Sequence, residues 1–239
     1  DGDVGRGMQV AGQLSRGDML DCFVAAAKRL SEATRALAEA CQTARPELYA
    51  VFERLRFECY GLEKDALLAW NAWEKFKDVR LYVLVTAGAE SKREHVSGLI
   101  DACVGGGADC VQLRCKGFSD RVHLEFAREL AERCRAGKVL SIVNDRVDIA
   151  AACGADGVHL GQDDMRVDEA RKIAGRAMVF GLSTHNLAQL DEAVRLGPGY
   201  VGLGPVFETN TKRIEKLAGL EYVERSEEHT SELQSPNTI

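Results

Sequence analysis

Two different patterns of apolar and polar residues divide this chain, and the change comes at Arg80. Before it, apolar positions recur at helical spacing. Leu20, Val24, Ala27, Leu30, Leu37 and Cys41 mark a first helix; Leu48, Val51, Phe52, Leu55, Cys59, Leu62, Ala66, Trp70 and Trp73 mark a second. Steps of three and four place each set on one helical face. Pro46 suits the first turn of the second helix, where a missing N–H is harmless. The pattern predicts an antiparallel helical hairpin over 18–78, behind a polar, Gly-rich lead-in at 1–17 that reads as disordered.

After Arg80, short apolar runs alternate with amphipathic helical stretches. The runs are Leu81–Val85, Cys110–Leu113, Val139–Val143, Gly157–Leu160, Met178–Gly181 and Tyr200–Leu203. The helical stretches lie near 92–104, 120–135, 146–152, 166–174 and 187–196. Repeated βα units predict a parallel sheet covered by helices. With right-handed crossovers they form a barrel or a doubly wound sheet. The rhythm stops at Tyr222. The text ERSEEHTSELQSPNTI is polar and carries no strand pattern. Residues 223–239 are therefore expected to be a non-native tail resembling adapter read-through, the alternative being a polar C-terminal helix.

Composition narrows the classes. Of 239 residues, 46% are hydrophobic and 28% charged, which suits a soluble globular protein. The apolar runs are too short to cross a bilayer, and no secretory signal is visible, so a cytoplasmic location is expected. The first residue is Asp1 rather than methionine, which leaves the native start open. A formal net charge of −6 argues against nucleic acid as the main partner. None of the eight cysteines forms a CxxC pair or a zinc-like cluster with histidine. Most of them sit in apolar stretches and read as small core residues.

In a βα barrel, chemistry gathers at the C-terminal ends of the strands. The second run ends in Gln112-Leu113-Arg114-Cys115-Lys116. Alternation puts Gln112, Arg114 and Lys116 on one face, two cations and an amide suited to phosphate. The third run ends in Asn144-Asp145, and the fourth leads into Gly161-Gln162-Asp163-Asp164. Asp145 and Asp164 could share a magnesium ion, or each could simply cap the helix that follows. Ser183, in Gly181-Leu182-Ser183-Thr184-His185, could donate to phosphate or cap the next helix. His185 reads more readily as an exposed helix-start residue, and His159 as a satisfied interior one. After the sixth run, Thr209, Thr211 and Lys212 form a candidate anion clamp or a plain polar loop.

Taken together, QLRCK, NDR, GVHLGQDD, GLSTH and GPVFETNTK, in this order and spacing, resemble the successive signatures of the thiamine-phosphate synthase family. The resemblance runs from about Arg80 to about Tyr222. One departure is Cys115, where the family usually has glutamate, at a position that should point away from the site. The resemblance implies a TIM-type barrel of which about six of eight βα units are visible, over 79–222. It implies a transferase that joins a pyrimidine-methyl pyrophosphate to a thiazole phosphate. Asp145 and Asp164 would hold Mg2+. Arg114, Lys116, Asn144, Ser183 and Lys212 would grip the pyrophosphate. Gln112 would face the pyrimidine, and Thr209 and Thr211 the thiazole phosphate. The first helix resembles, more loosely, a helical domain found ahead of this synthase in some bacteria, through Arg29, Glu32, Arg35 and Glu39; a solvated face with ion pairs is the other reading. Two further readings of the barrel stay open: a thiazole tautomerase-like isomerase, and a non-catalytic phosphate-binding barrel fragment. The oligomeric state is not legible.

Overall fold

The computed structural model describes residues 17–207 and 218–234, with side chains as far as Ser226. Residues 1–16 of the expected 1–17 lead-in and the end of the tail lie outside the described residues. The chain divides into two compact units, 1–67 and 68–239. The first is helical. Helix α1 (Met19–Ala44) starts at Asp18, whose carboxylate accepts the Asp21 N–H at 2.8 Å, satisfying one of the first-turn donors. It ends at Arg45, because the residue before proline is sterically pushed out of the helical region. Helix α2 (Pro46–Phe76) follows at once and continues into the second unit. On α1, Arg35 pairs with Glu32 at 3.0 Å and Glu39 at 3.9 Å, all well exposed. That is the behaviour of a solvated face, where such pairs contribute a few tenths of a kcal/mol.

The second unit holds six parallel strands in the order in which they occur: β1 (Tyr82–Ala87), β2 (Cys110–Cys115), β3 (Leu140–Asn144), β4 (Gly157–Leu160), β5 (Val179–Thr184) and β6 (Tyr200–Leu203). Between them run α3 (Arg93–Gly105), α4 (Asp120–Gly137), α5 (Val147–Cys153), α6 (Val167–Ala174) and α7 (Leu187–Leu196). A last helix, α8 (Gly219–Gln234), packs along α7 and crosses the expected tail boundary at Tyr222. The buried Tyr222 donates to Thr184 Oγ1 at 2.7 Å. The sheet curls: the hydroxyls of Tyr82 on β1 and Tyr200 on β6 meet at 2.7 Å across its concave side. It is thus a TIM-like α/β half-barrel.

Alternation along each strand sorts the side chains. Val85, Leu113, Val143, Val158, Leu160 and Phe180 point to the helices and are almost fully buried there. Gln112, Asn144, His159, Ser183 and Tyr200 point inward. The main core therefore lies between sheet and helices, and the polar inward residues follow an apolar inner layer that includes the fully buried Cys110, Ile142 and Val179. Cys115 packs against this helix-side core, so its departure from the family pattern falls outside the site. Removing part of this core should be costly. Leu113→Ala is expected to lower stability by about 2–5 kcal/mol in urea unfolding, and a loss under 1 kcal/mol would show that the β2–helix layer is poorly packed.

His123 on α4 is buried, and its Nε2 has no hydrogen-bond partner. Burial first, then Arg146, depress its pKa. The unfolded chain takes up a proton near pH 6.5, whereas the folded protein resists it. His123 therefore supports the fold above that pH and withdraws the support as pH falls through it. Stability should decline from pH 7.5 to 5.5 less steeply in His123→Leu than in the wild type; parallel curves would remove this residue as a source.

Candidate active site

Apart from Gln112, which lies in the middle of β2, the sequence-predicted residues of β2 to β5 lie at or just beyond the C-terminal ends of those strands. The strands run further into the polar motifs than hydrophobicity alone indicates, through Cys115 on β2 and Thr184 on β5. Backbone pairing continues where the side chains turn polar: Arg114 pairs with Thr86, and Leu203 with Thr184. Gln112 is buried and donates through Nε2 to Asn144 Oδ1 at 2.5 Å. Two candidates from separate motifs are thereby joined directly. Arg114 is half-buried, and Lys116 stands exposed one residue past the strand.

Several arginines of the barrel, Arg93, Arg133, Arg146 and Arg166, are spent on carboxylates. Arg146 spans Asp120 and Asp148, which raises its own pKa and holds both carboxyls below their usual range. Arg114 and Lys116 form no ion pair with any described residue, so their positive charge is unspent at the strand ends.

The carboxylates are placed by their backbones. Asp145 adopts a left-handed conformation, φ 63°, and its N–H donates to the His159 carbonyl at 2.8 Å. A non-glycine residue held there carries local strain, a condition that gathers at functional sites. Asp164 accepts the Gly161 N–H through Oδ2 at 2.6 Å, which fixes its carboxyl at the end of β4. Neither caps the helix that follows: the N-caps of α5 and α6 are Arg146 and Arg166, neither with a side-chain cap bond. The capping alternative also falls for Ser183. Asn186 caps α7, while Ser183 Oγ lies 2.8 Å from His159 Nε2. No group of three or more His, Cys, Asp or Glu among the described residues could hold a metal. A pair of oxygen donors at adjacent strand ends is the set a magnesium ion accepts when phosphate and water complete its shell. His185 is half-buried rather than exposed, and its Nδ1 meets the Gly204 carbonyl. Thr209, Thr211 and Lys212 lie outside the described residues.

Two interior tyrosines outside the motifs, Tyr82 and Tyr200, join the site together with His159 of GVHLGQDD, which is the satisfied interior histidine the sequence suggests. Tyr82, Tyr200 and His159 line a cavity of about 520 Å3 with Gln112, Ser183 and Phe76. Phe76 stacks on Tyr200, ring centroids 4.0 Å apart and planes within 5°. Burial drives both phenols far above their usual pKa, so they remain neutral hydroxyls. Gly181 makes this possible: a Cβ there would lie 2.6 Å from His159 Nδ1 and collide with the Tyr200 ring.

The parallel βα half-barrel thus gathers Arg114, Lys116, two carboxylates and a hydrogen-bonded pair of amides at or near its strand ends, donor types that suit a phosphate-bearing ligand. The family model described as thiamine monophosphate synthase matches residues 81–236, and one described as the ThiD2 family matches residues 1–65. The chain belongs to the thiamine monophosphate synthase family. It is 37% identical over 243 residues to a thiamine-phosphate synthase of Rhodopirellula baltica, covering 98% of this chain and 64% of that protein. To one of Synechocystis it is 38% identical over 222 residues, covering 93% and 63%. Among solved structures, thiamine phosphate pyrophosphorylase from Pyrococcus furiosus aligns with a TM-score of 0.55 and 35% identity, over 63% of this chain and 70% of that one. The chain thus spans a little under two thirds of the length of these curated relatives.

Proposed function

We propose that this barrel carries the active site of a thiamine-phosphate synthase, which joins 4-amino-2-methyl-5-pyrimidinylmethyl pyrophosphate to 4-methyl-5-(2-phosphoethyl)thiazole and releases pyrophosphate. The observation that carries the reading is the pair Arg114 and Lys116, without carboxylate partners, beside Asp145 and Asp164 at neighbouring strand ends. The bond from the pyrimidine methylene to pyrophosphate breaks, and negative charge collects on the departing oxygens. Arg114, Lys116, Asn144, Ser183 and Lys212 would face that charge, where fixed donors lower the barrier most. Asp145 and Asp164 would hold Mg2+, which when bound neutralises part of the same charge. Gln112 would turn an amide to the pyrimidine. Thr209 and Thr211 would meet the thiazole phosphate. The thiazole nitrogen attacks with its own lone pair, so no strong base is required, which accords with a site of cations and amides.

The same reading sets the protein in the cytoplasm, among small phosphorylated substrates. It also takes the barrel to be completed by further βα units and residues 223–239 to be a non-native tail. Two observations support the former. The relatives are longer, and β1 and β6 each pair on one side only among the described residues. The test is pyrophosphate release in a protein whose barrel is completed by family-like units. Release is expected only with both substrates and magnesium together. Thiazole isomerisation without release would favour the tautomerase-like reading, and tight phosphate binding without turnover the non-catalytic one.

A further inference from the structure

The hydrogen bonds of the barrel interior form one chain, and their donors and acceptors take a single order. Gln112 Nε2 donates to Asn144 Oδ1, so its Oε1 is the atom that accepts from the Tyr82 hydroxyl at 2.7 Å. A phenol has one proton. Tyr82 has used its own, so Tyr200 is the donor in the 2.7 Å contact between the two hydroxyls. Tyr200 in turn must accept from His159 Nδ1–H, at 3.0 Å. Neutral imidazole carries one N–H. Its Nε2 is therefore an acceptor, and Ser183 donates to it at 2.8 Å.

We propose that Tyr82, Tyr200 and His159 are positioning residues that set whether the Ser183 proton points to His159 or to a ligand phosphate. In the order just described, Ser183 gives its proton to His159 and presents only lone pairs to the barrel mouth. Phosphate oxygens accept and do not donate, so that Ser183 cannot serve them. Turning over the Gln112 and Asn144 amides reverses every bond. Gln112 then donates to Tyr82, Tyr82 to Tyr200 and Tyr200 to His159 Nδ1. His159 donates from Nε2 to Ser183, whose O–H is released toward the ligand. The imidazole gives its Nδ1 proton to solvent and takes one on Nε2, so the number of protons and the charge are unchanged. Apart from the two amide ends that exchange nitrogen and oxygen, the rings stay in place, because Phe76 stacks on Tyr200 and Gly181 and Gly202 leave His159 just enough room. Gln112 and Ser183 become the two ends of one device. This role rests on the reading of Ser183 as a phosphate contact.

The test is 15N NMR of the histidine rings in the full chain at pH 8, with His159 assigned by its loss in His159→Gln. The ligand-free wild type is expected to show the Nδ1–H tautomer. Tyr82→Phe removes the acceptor of the Tyr200 proton, which then turns to His159 Nδ1, and the ring should shift to Nε2–H. Inorganic pyrophosphate with magnesium should produce the same shift in the wild type. An Nε2–H ring in the ligand-free protein, or no change in Tyr82→Phe, would overturn the chain. If Tyr82→Phe shifts the ring but bound pyrophosphate does not, the chain stands and the phosphate role of Ser183 falls.

Discussion

Asp145→Ala and Asp164→Ala are each expected to lower magnesium-dependent pyrophosphate release by about 10²–10³-fold, the loss typical when one charge-stabilising group is removed from a transition state. Asp145 is held in a left-handed backbone at the end of β3 by its N–H to the His159 carbonyl. Asp164 is held at the end of β4 by the Gly161 N–H. Neither caps a helix, but Asp145→Ala puts alanine at a positive φ and Asp164→Ala gives up the Gly161 N–H bond, so each should also lose about 1 kcal/mol of stability, far too little to account for the fall in turnover. Their exposed neighbour Asp163 is the control, with Asp163→Ala expected near normal turnover. Near-normal turnover in Asp145→Ala or Asp164→Ala would remove that residue from the metal site.

Arg114→Ala is expected to reduce kcat/KM for the pyrimidine pyrophosphate by a similar factor, about 10²–10³. The guanidinium is half-buried on the inward face of β2, two residues beyond Gln112, and no described carboxylate neutralises it. Arg114→Lys should recover only part of the loss, because an ammonium is a point charge and cannot present a planar pair of donors to phosphate oxygens. The thiazole phosphate should be affected much less. Equal losses for both substrates would mean that the substitution loosens the whole strand end and that no specific phosphate contact had been present.

The βα rhythm was legible in the sequence because every strand is short, apolar and bounded by amphipathic helix. Its limits were not, since pairing continues into polar residues such as Arg114 and Ser183. The site motifs were legible because alternation alone puts Gln112 and Arg114 on one face. Whether Asp145 and Asp164 cap helices could not be read from residue types, which suit either role; the backbone decides, by moving the caps to Arg146 and Arg166. Least visible was the interior hydrogen-bond chain. Tyr82 and Tyr200 read as apolar strand residues, and their contact spans 118 positions. The one local hint was glycine: Gly181 and Gly202 sit inside strands, where a missing side chain marks the close approach of another group.

The proposed function makes the ends of β2 to β5 one metal-pyrophosphate site. Crystals grown with manganese in place of magnesium and with inorganic pyrophosphate test it most directly. An anomalous peak is expected between the Asp145 and Asp164 carboxylates, with pyrophosphate against Arg114, Asn144 and Ser183. Manganese bound away from both carboxylates, or pyrophosphate seated elsewhere on the barrel, would contradict it.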